Sequence, residues 1–173
     1  MNPWPDLRPV LQDIPWVIVG AVATRAYMPE RMTKDLDILI RREDEGKVLE
    51  RLQAVGYKII SRLAVPGFLL LSPEGIELDV IMVNYPWAKD ALAHPAQDPV
   101  GYPVLALPYL VLMKMESSRG RDFGDANTML GLASEDQLNQ VRAVVARYAP
   151  DAVGDLESMI YLGRLELEDG TNN

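Results

Sequence analysis

Residues 17–40, V-I-V-G-A-V-A-T-R-A-Y-M-P-E-R-M-T-K-D-L-D-I-L-I, constrain the fold more than any other part of the chain. They read as a buried strand over residues 16–19, a turn at Gly20, a helix over 21–28 stopped by Pro29, a polar turn, and a second apolar strand opened by Asp35 and Asp37. Glycine lets the backbone leave the first strand sharply, and the free N–H groups of residues 21–23 form a site that stabilises an anion such as a phosphate. Asp35 and Asp37, two apart on a strand, point to the same face. Two adjacent carboxylates repel and lose hydration unless a cation lies between them, so a divalent metal is the simplest reason to keep both. A phosphate cradle beside a metal clamp points to nucleotide chemistry.

The rest of the chain builds around this unit. An amphipathic helix over 42–54 turns Val48, Leu49, Leu52 and Val55 inward and ends at Gly56. A third strand over 57–63 follows, then strands at 68–71 and 76–83 joined by Ser72-Pro73-Glu74-Gly75, whose proline and glycine supply hairpin torsions. Alternation in the last strand puts Ile76, Leu78, Val80 and Met82 on one face and Glu77, Asp79 and Ile81 on the other. Asp79 then faces the side of Asp35 and Asp37, and Glu77 shares it as a spare ligand or an ion-pair partner. Helices are expected over 86–94, 108–118, 122–132 and 151–167, with a short strand at 104–106 and a frayed tail at 169–173. Ser134 and Gln137 form a capping box for a helix lined by Leu138, Val141, Val144, Val145 and Tyr148. The expected architecture is a mixed, mainly antiparallel sheet of four to six strands flanked by helices, with a core over 1–133 and a helical extension over 134–173 packed on it.

Composition narrows the function classes. The 173 residues carry a net charge of −8 and a pI near 4.7, which argues against a general nucleic-acid binder, since those present a basic field. The acidic excess is concentrated after Phe123, so a local basic patch for a single RNA end stays open. There are no cysteines, which removes disulfides, thiolate metal sites and cysteine nucleophiles. His94, the only histidine, follows an apolar helix, and no G-x-S-x-G elbow accompanies it, which argues against a Ser-His-Asp hydrolase. The start of the chain lacks a signal-peptide pattern, and the longest apolar run, 104–113, contains Pro108 and is far shorter than the roughly 20 residues of a membrane span. A soluble, cytoplasmic protein is expected.

Gly20-Ala21 followed by Thr33-Lys34-Asp35-Leu36-Asp37 resembles the signature of the DNA polymerase beta-like nucleotidyltransferase superfamily, with Asp79 in the place of its third acidic residue. Lys114 followed by R-G-R-D-F-G-D, from Arg119 to Asp125, resembles the small bacterial branch that includes the AbiEii-like toxin nucleotidyltransferases. The likeness spans roughly residues 16–132. It implies an α/β (α+β) nucleotidyltransferase fold and Mg-dependent transfer of a nucleoside monophosphate from a nucleoside triphosphate, ATP among them, to a hydroxyl. By resemblance, Asp35, Asp37 and Asp79 are the catalytic carboxylates and hold two Mg ions, for which Mn can substitute. Gly20, Ala21, Thr33, Lys114 and Arg25 bind the nucleotide, and Arg119, Arg121, Asp122, Asp125 and Glu77 support the site. The acceptor is an RNA or tRNA end, a protein or a small molecule, and a toxin role carries with it a cognate antitoxin.

Each assignment has a plainer counterpart. Thr33 also reads as a turn or cap residue shaping the approach to Asp35. Arg25 and Arg31 equally read as structural counter-ions. Lys114 reads as a lysine at the rim of a buried helix, and Asp122 and Asp125 as partners of Arg119 and Arg121. Ala21 stands where many members have serine or glycine, so a hydroxyl that could meet a triphosphate oxygen is missing. That departure keeps open a non-catalytic nucleotide-binding or regulatory module. The acidity keeps open an aminoglycoside or lincosamide nucleotidyltransferase, since acidic pockets suit cationic drugs.

Overall fold

The computed structural model describes residues 4–82, 84–117 and 120–171. Its apolar runs pair into a sheet of seven strands among these residues. They are β1 (Trp16–Val19), β2 (Asp35–Ile40), β3 (Lys58–Arg62), β4 (Gly67–Leu71), β5 (Glu77–Ile81), β6 (Ala96–Gln97) and β7 (Pro103–Val104), in the spatial order β3-β4-β5-β2-β1-β7-β6. Neighbours are antiparallel except at β1–β7 and β2–β5. The sheet is therefore mixed and mainly antiparallel, as expected, but larger than four to six strands.

The extra pairing comes from β6, which no apolar run announces. Asp98, buried, accepts hydrogen bonds at Oδ1 from the backbone N–H of Val100 (3.0 Å) and Tyr102 (2.8 Å). Gly101, at φ +81°, closes the turn, and β6 folds back on β7. The 72–75 hairpin forms as expected: Gly75 at φ +83° donates to the Ser72 carbonyl (3.0 Å), and Ser72 Oγ accepts from Ile76 (3.1 Å).

Helices are α1 (Gly20–Ala23), α2 (Glu45–Ala54), α3 (Ala88–Ala93), α4 (Leu107–Glu116), α5 (Gly120–Leu132), α6 (Glu135–Tyr148) and α7 (Val153–Thr171). The helix expected over 21–28 is shorter. One α-turn is followed by a 3-10 turn, Thr24–Ala26, and the Thr24 carbonyl accepts from both Tyr27 and Met28, which tightens the end of the segment ahead of Pro29. The helix expected from 42 opens with a 3-10 turn, Arg42–Asp44. On its inward face Val48 and Leu52 are buried, whereas Leu49 is half-buried and Val55 is exposed. The Ser134–Gln137 capping box is complete, and α7 runs on to Thr171. The expected end of the 76–83 strand at Val83, that of the 108–118 helix at Ser118, and the last tail residues 172–173 lie outside the described residues.

The chain divides into two compact units, Met1–Ala23 with Arg31–Leu105, and Thr24–Glu30 with Ala106–Asn173. The first holds the sheet; its core includes Val17, Ile18, Leu36, Ile38, Leu39, Leu70, Leu78 and Val80, with Leu7, Leu11 and Ile14 of the leading segment buried as well. The second holds α4 to α7, with α5 packed along α7 and α4 against α6. The boundary expected at residue 133 falls inside this second unit, between α5 and α6. No helix among the described residues is long and apolar enough to cross a membrane.

Candidate active site

Strand register assembles the carboxylates. Asp37 is the ladder partner of Val19 on one side and of Asp79 on the other, while Asp35 is opposite Glu77. Ladder partners project to the same face, so β2 and β5 present Asp35, Asp37, Glu77 and Asp79 together. One carboxylate oxygen from each of Asp35, Asp37 and Asp79 lies within 4.8 Å of the others, and all three residues are half-buried. Glu77, further out, is exposed.

Two neighbours shape this triad. Gly20, directly after β1, has φ +64°, and a Cβ built on it would overlap Asp37 Oδ2. The Asp37 carboxylate therefore occupies the space that a side chain would take. The Thr33 hydroxyl donates to Asp35 Oδ1 at 2.5 Å, which fixes the rotamer of that carboxylate from the turn before β2.

The electrostatics are those of a cation site. Burial raises the Asp79 carboxyl above its ordinary range, and the charges of Asp35 and Glu77 push it further in the same direction. A group in that state gains from a proton or from a metal. The donor set is three hard carboxylate oxygens with no nitrogen or sulfur ligand, which suits Mg or Mn. The residues present thus fit the divalent cation that the sequence pattern implies.

Of the remaining expected residues, Ala21 belongs to the first unit and Arg25 and Lys114 to the second. Ala21 lies in α1, half-buried, one residue beyond Gly20. Arg25 belongs to the second unit, where its largely buried guanidinium is 3.7 Å from Glu30. Lys114 also belongs there and is 4% exposed; its Nζ donates to Asp122 Oδ1 (2.9 Å) and Asp125 Oδ2 (2.8 Å). Ser117 Oγ donates to Asp122 Oδ2 at 2.6 Å and bonds the Lys114 carbonyl at 3.0 Å, tying the end of α4 to the start of α5. Among the described residues, Lys114 is a cation to which both aspartates bond. Arg121 is exposed, and Arg119 lies outside the described residues.

In the sequence Gly20 and Thr33 read as a turn residue and as a turn or cap residue, and by resemblance as nucleotide-binding residues. The packing of Gly20 on Asp37 and the hydroxyl bond from Thr33 to Asp35 are contacts that only the fold discloses. Spacing held one signal for the second, a threonine two residues ahead of the first aspartate.

No family model matches the chain, and no curated protein matches it. Among solved structures, the lincomycin-bound lincosamide antibiotic adenylyltransferase LnuA is similar with a TM-score of 0.52 and 16% identity, over 70% of this chain and 89% of that one. ANT(2″)-Ia in complex with adenylyl-2″-tobramycin gives a TM-score of 0.49 at 19% identity, over 80% and 91% of the two chains. The solution structure of the same antibiotic-resistance factor gives 0.48 at 13%, over 93% and 89%. The likeness to LnuA, at this identity, establishes the fold: the chain has the architecture of a nucleotidyltransferase.

Proposed function

We propose that the protein is a metal-dependent nucleotidyltransferase that moves a nucleoside monophosphate from a nucleoside triphosphate to a hydroxyl acceptor. The observation that carries this reading is the convergence of Asp35, Asp37 and Asp79 within 4.8 Å beside the glycine turn that ends β1. Asp35, Asp37 and Asp79 would hold the divalent cation, Mg or Mn, which when bound supplies neutralisation of charge on the triphosphate and the leaving pyrophosphate. Thr33 keeps Asp35 aimed, and Gly20 leaves room for Asp37 while its turn brings the backbone of Ala21 up as a phosphate contact. Asp79 would take the proton of the acceptor hydroxyl on the carboxylate oxygen that the cation leaves unbound. The acceptor oxygen then forms its bond to the α-phosphorus as the bond to the pyrophosphate oxygen breaks, and no covalent enzyme intermediate is needed.

Glu77, exposed beside the triad, adds negative charge where an acceptor approaches, and the whole chain carries −8. That favours a hydroxylated cationic small molecule over a polyanion. LnuA, bound to lincomycin, is a small-molecule precedent within the fold. Transfer to an RNA end or a protein, as by a toxin held by an antitoxin, is the competing acceptor class. Lys114 is assigned to bracing α4 against α5; a triphosphate contact from it requires its ammonium to leave Asp122 or Asp125.

The test is pyrophosphate release from each of the four ribonucleoside triphosphates with Mg, in the presence of an aminoglycoside and lincosamide mixture, total RNA, or a cell lysate. Release that depends on an acceptor and falls roughly a thousandfold in Asp35→Ala and Asp37→Ala supports transfer, the loss corresponding to several kcal/mol of charge stabilisation. Mg-dependent triphosphate binding with no release in any pool identifies the non-catalytic module instead.

A further inference from the structure

β3 is the outermost strand of the sheet, and all five of its residues, Lys58–Arg62, are exposed. Its pairing with β4 uses one long side, and on the other no strand follows among the described residues. Such an edge presents backbone N–H and C=O groups as a template for an incoming extended chain. The edge is also apolar. Ile59 is 40% exposed and Ile60 55%, and Val65 in the following turn is 48% exposed. Register passes from Ile59 opposite Leu70 to Ser61 opposite Leu69, so Ile60 is a bulged residue without a ladder partner.

Charge selects the occupant. Lys58 and Arg62 bracket the isoleucines, and neither has a carboxylate in ion-pair reach among the described residues. The Arg62 guanidinium instead lies over the Phe68 ring, 4.8 Å from its centroid. A second copy of β3 laid antiparallel would set Lys58 against Arg62 twice, and laid parallel in register would set each cation against itself. Like charges directly across a ladder are destabilising. An extended segment with an apolar centre and acidic flanks meets both the isoleucines and the cations.

We propose that β3 is a docking edge for an extended segment of a protein partner, apolar at its centre and acidic at its flanks, which adds to the sheet as a further strand. The edge is linked to the carboxylates by a continuous row of ladder partners, Ser61–Leu69–Asp79–Asp37, with β4 alone between β3 and the strand that carries Asp79. The inference stands on a different surface from the candidate active site and does not depend on its activity.

The experiment uses the full chain. A displayed library of random dodecapeptides is selected on the wild-type protein, enriched peptides are synthesised, and their affinities are compared for wild type and Lys58→Glu/Arg62→Glu, two exposed changes whose folding is checked by circular dichroism. Amide hydrogen exchange locates the bound peptide. We expect enriched peptides with acidic residues flanking an apolar run, protection of the amides of residues 58–62, and about tenfold weaker binding to the double variant, from the reversal of two cross-strand charge pairs. The proposal is overturned if no peptide is enriched, if enriched peptides protect a different surface, or if they bind both proteins equally. Self-association of the wild type that the double variant abolishes would overturn it in favour of a second copy.

Discussion

The Cα of Gly20 is packed against the carboxylate of Asp37, so that a Cβ at position 20 would occupy the place of Asp37 Oδ2. The turn that ends β1 and the Asp37 carboxylate of β2 are thus a single packing unit. Glycine is required there twice, by the positive φ of +64° and by the carboxylate.

Gly20→Ala therefore disturbs stability and cation binding together. Placing an L-residue in the left-handed region costs about 1–2 kcal/mol, and the displaced carboxylate adds to it. We expect Tm to fall by roughly 3–8 °C for a chain of this size and the Mg affinity measured by calorimetry to weaken. An unchanged Tm and Mg isotherm would show that Asp37 does not lie against Gly20.

Asp79 makes the metal-free protein pH-sensitive. Its carboxyl is raised by burial and by Asp35 and Glu77, so the folded state holds its proton more tightly than the unfolded chain. That stabilisation is fully present below the unfolded carboxylate pKa and is lost as pH rises through the raised folded value. Asp79→Asn removes the charge and should raise the Tm of the metal-free protein at pH 7. Magnesium at ten times its Kd should stabilise the wild type by about 1.4 kcal/mol, or roughly 3–6 °C, and the variant by less. Thermal melts at pH 5 and pH 7, with and without Mg, decide; a variant less stable than the metal-free wild type at pH 7 would contradict the assignment.

Lys114 is buried and donates to both Asp122 and Asp125, so its removal takes a cationic partner from each. Lys114→Met should cost about 3–5 kcal/mol in urea denaturation. Combining it with Asp122→Asn and Asp125→Leu should recover part of that loss, because the two carboxylates that faced the ammonium go with it. A loss below about 1 kcal/mol for the single change would place the pair in water rather than in the helical unit.

α5 and α7 meet through glycine. A Cβ on Gly163 would run into the Asn127 carbonyl oxygen, and one on Gly131 into the Gly163 carbonyl. Gly163→Ala should therefore cost about 1–3 kcal/mol through forced separation of the helices. Gly124 in α5 has nothing within 4 Å of the corresponding position, and Gly124→Ala should stabilise by about 0.5–1 kcal/mol. Denaturant midpoints of opposite sign for the two variants are the expected outcome.

Much of the sheet was legible because its signals are local. Apolar runs at β1 and β2, the Pro-Glu-Gly turn before β5, and the alternation from Glu77 to Val80 each depend on a few adjacent residues, and each appears at the expected place, while Ile81, buried, departs from the alternation. β6 was not legible: Ala96–Gln97 has no apolar pattern, and the turn that folds it onto β7 is held by the side chain of Asp98, which follows it directly. The shortened first helix was equally hidden, since helical propensity over 21–28 does not reveal where the hydrogen bonds tighten at Thr24.

By itself the sequence determined the order of the strands along the chain, the face on which Asp35, Asp37 and Asp79 stand, and the hard-oxygen character of the site, because a period of two and the chemistry of a carboxylate are properties of neighbouring residues. The tertiary structure alone decided that Asp37 and Asp79 are ladder partners, that Gly20 yields its side-chain space to Asp37, that Lys114 closes on Asp122 and Asp125, and that β3 is left at the edge. These depend on which distant segments share a ladder or a helix face, and burial of apolar surface across the whole chain selects that pairing.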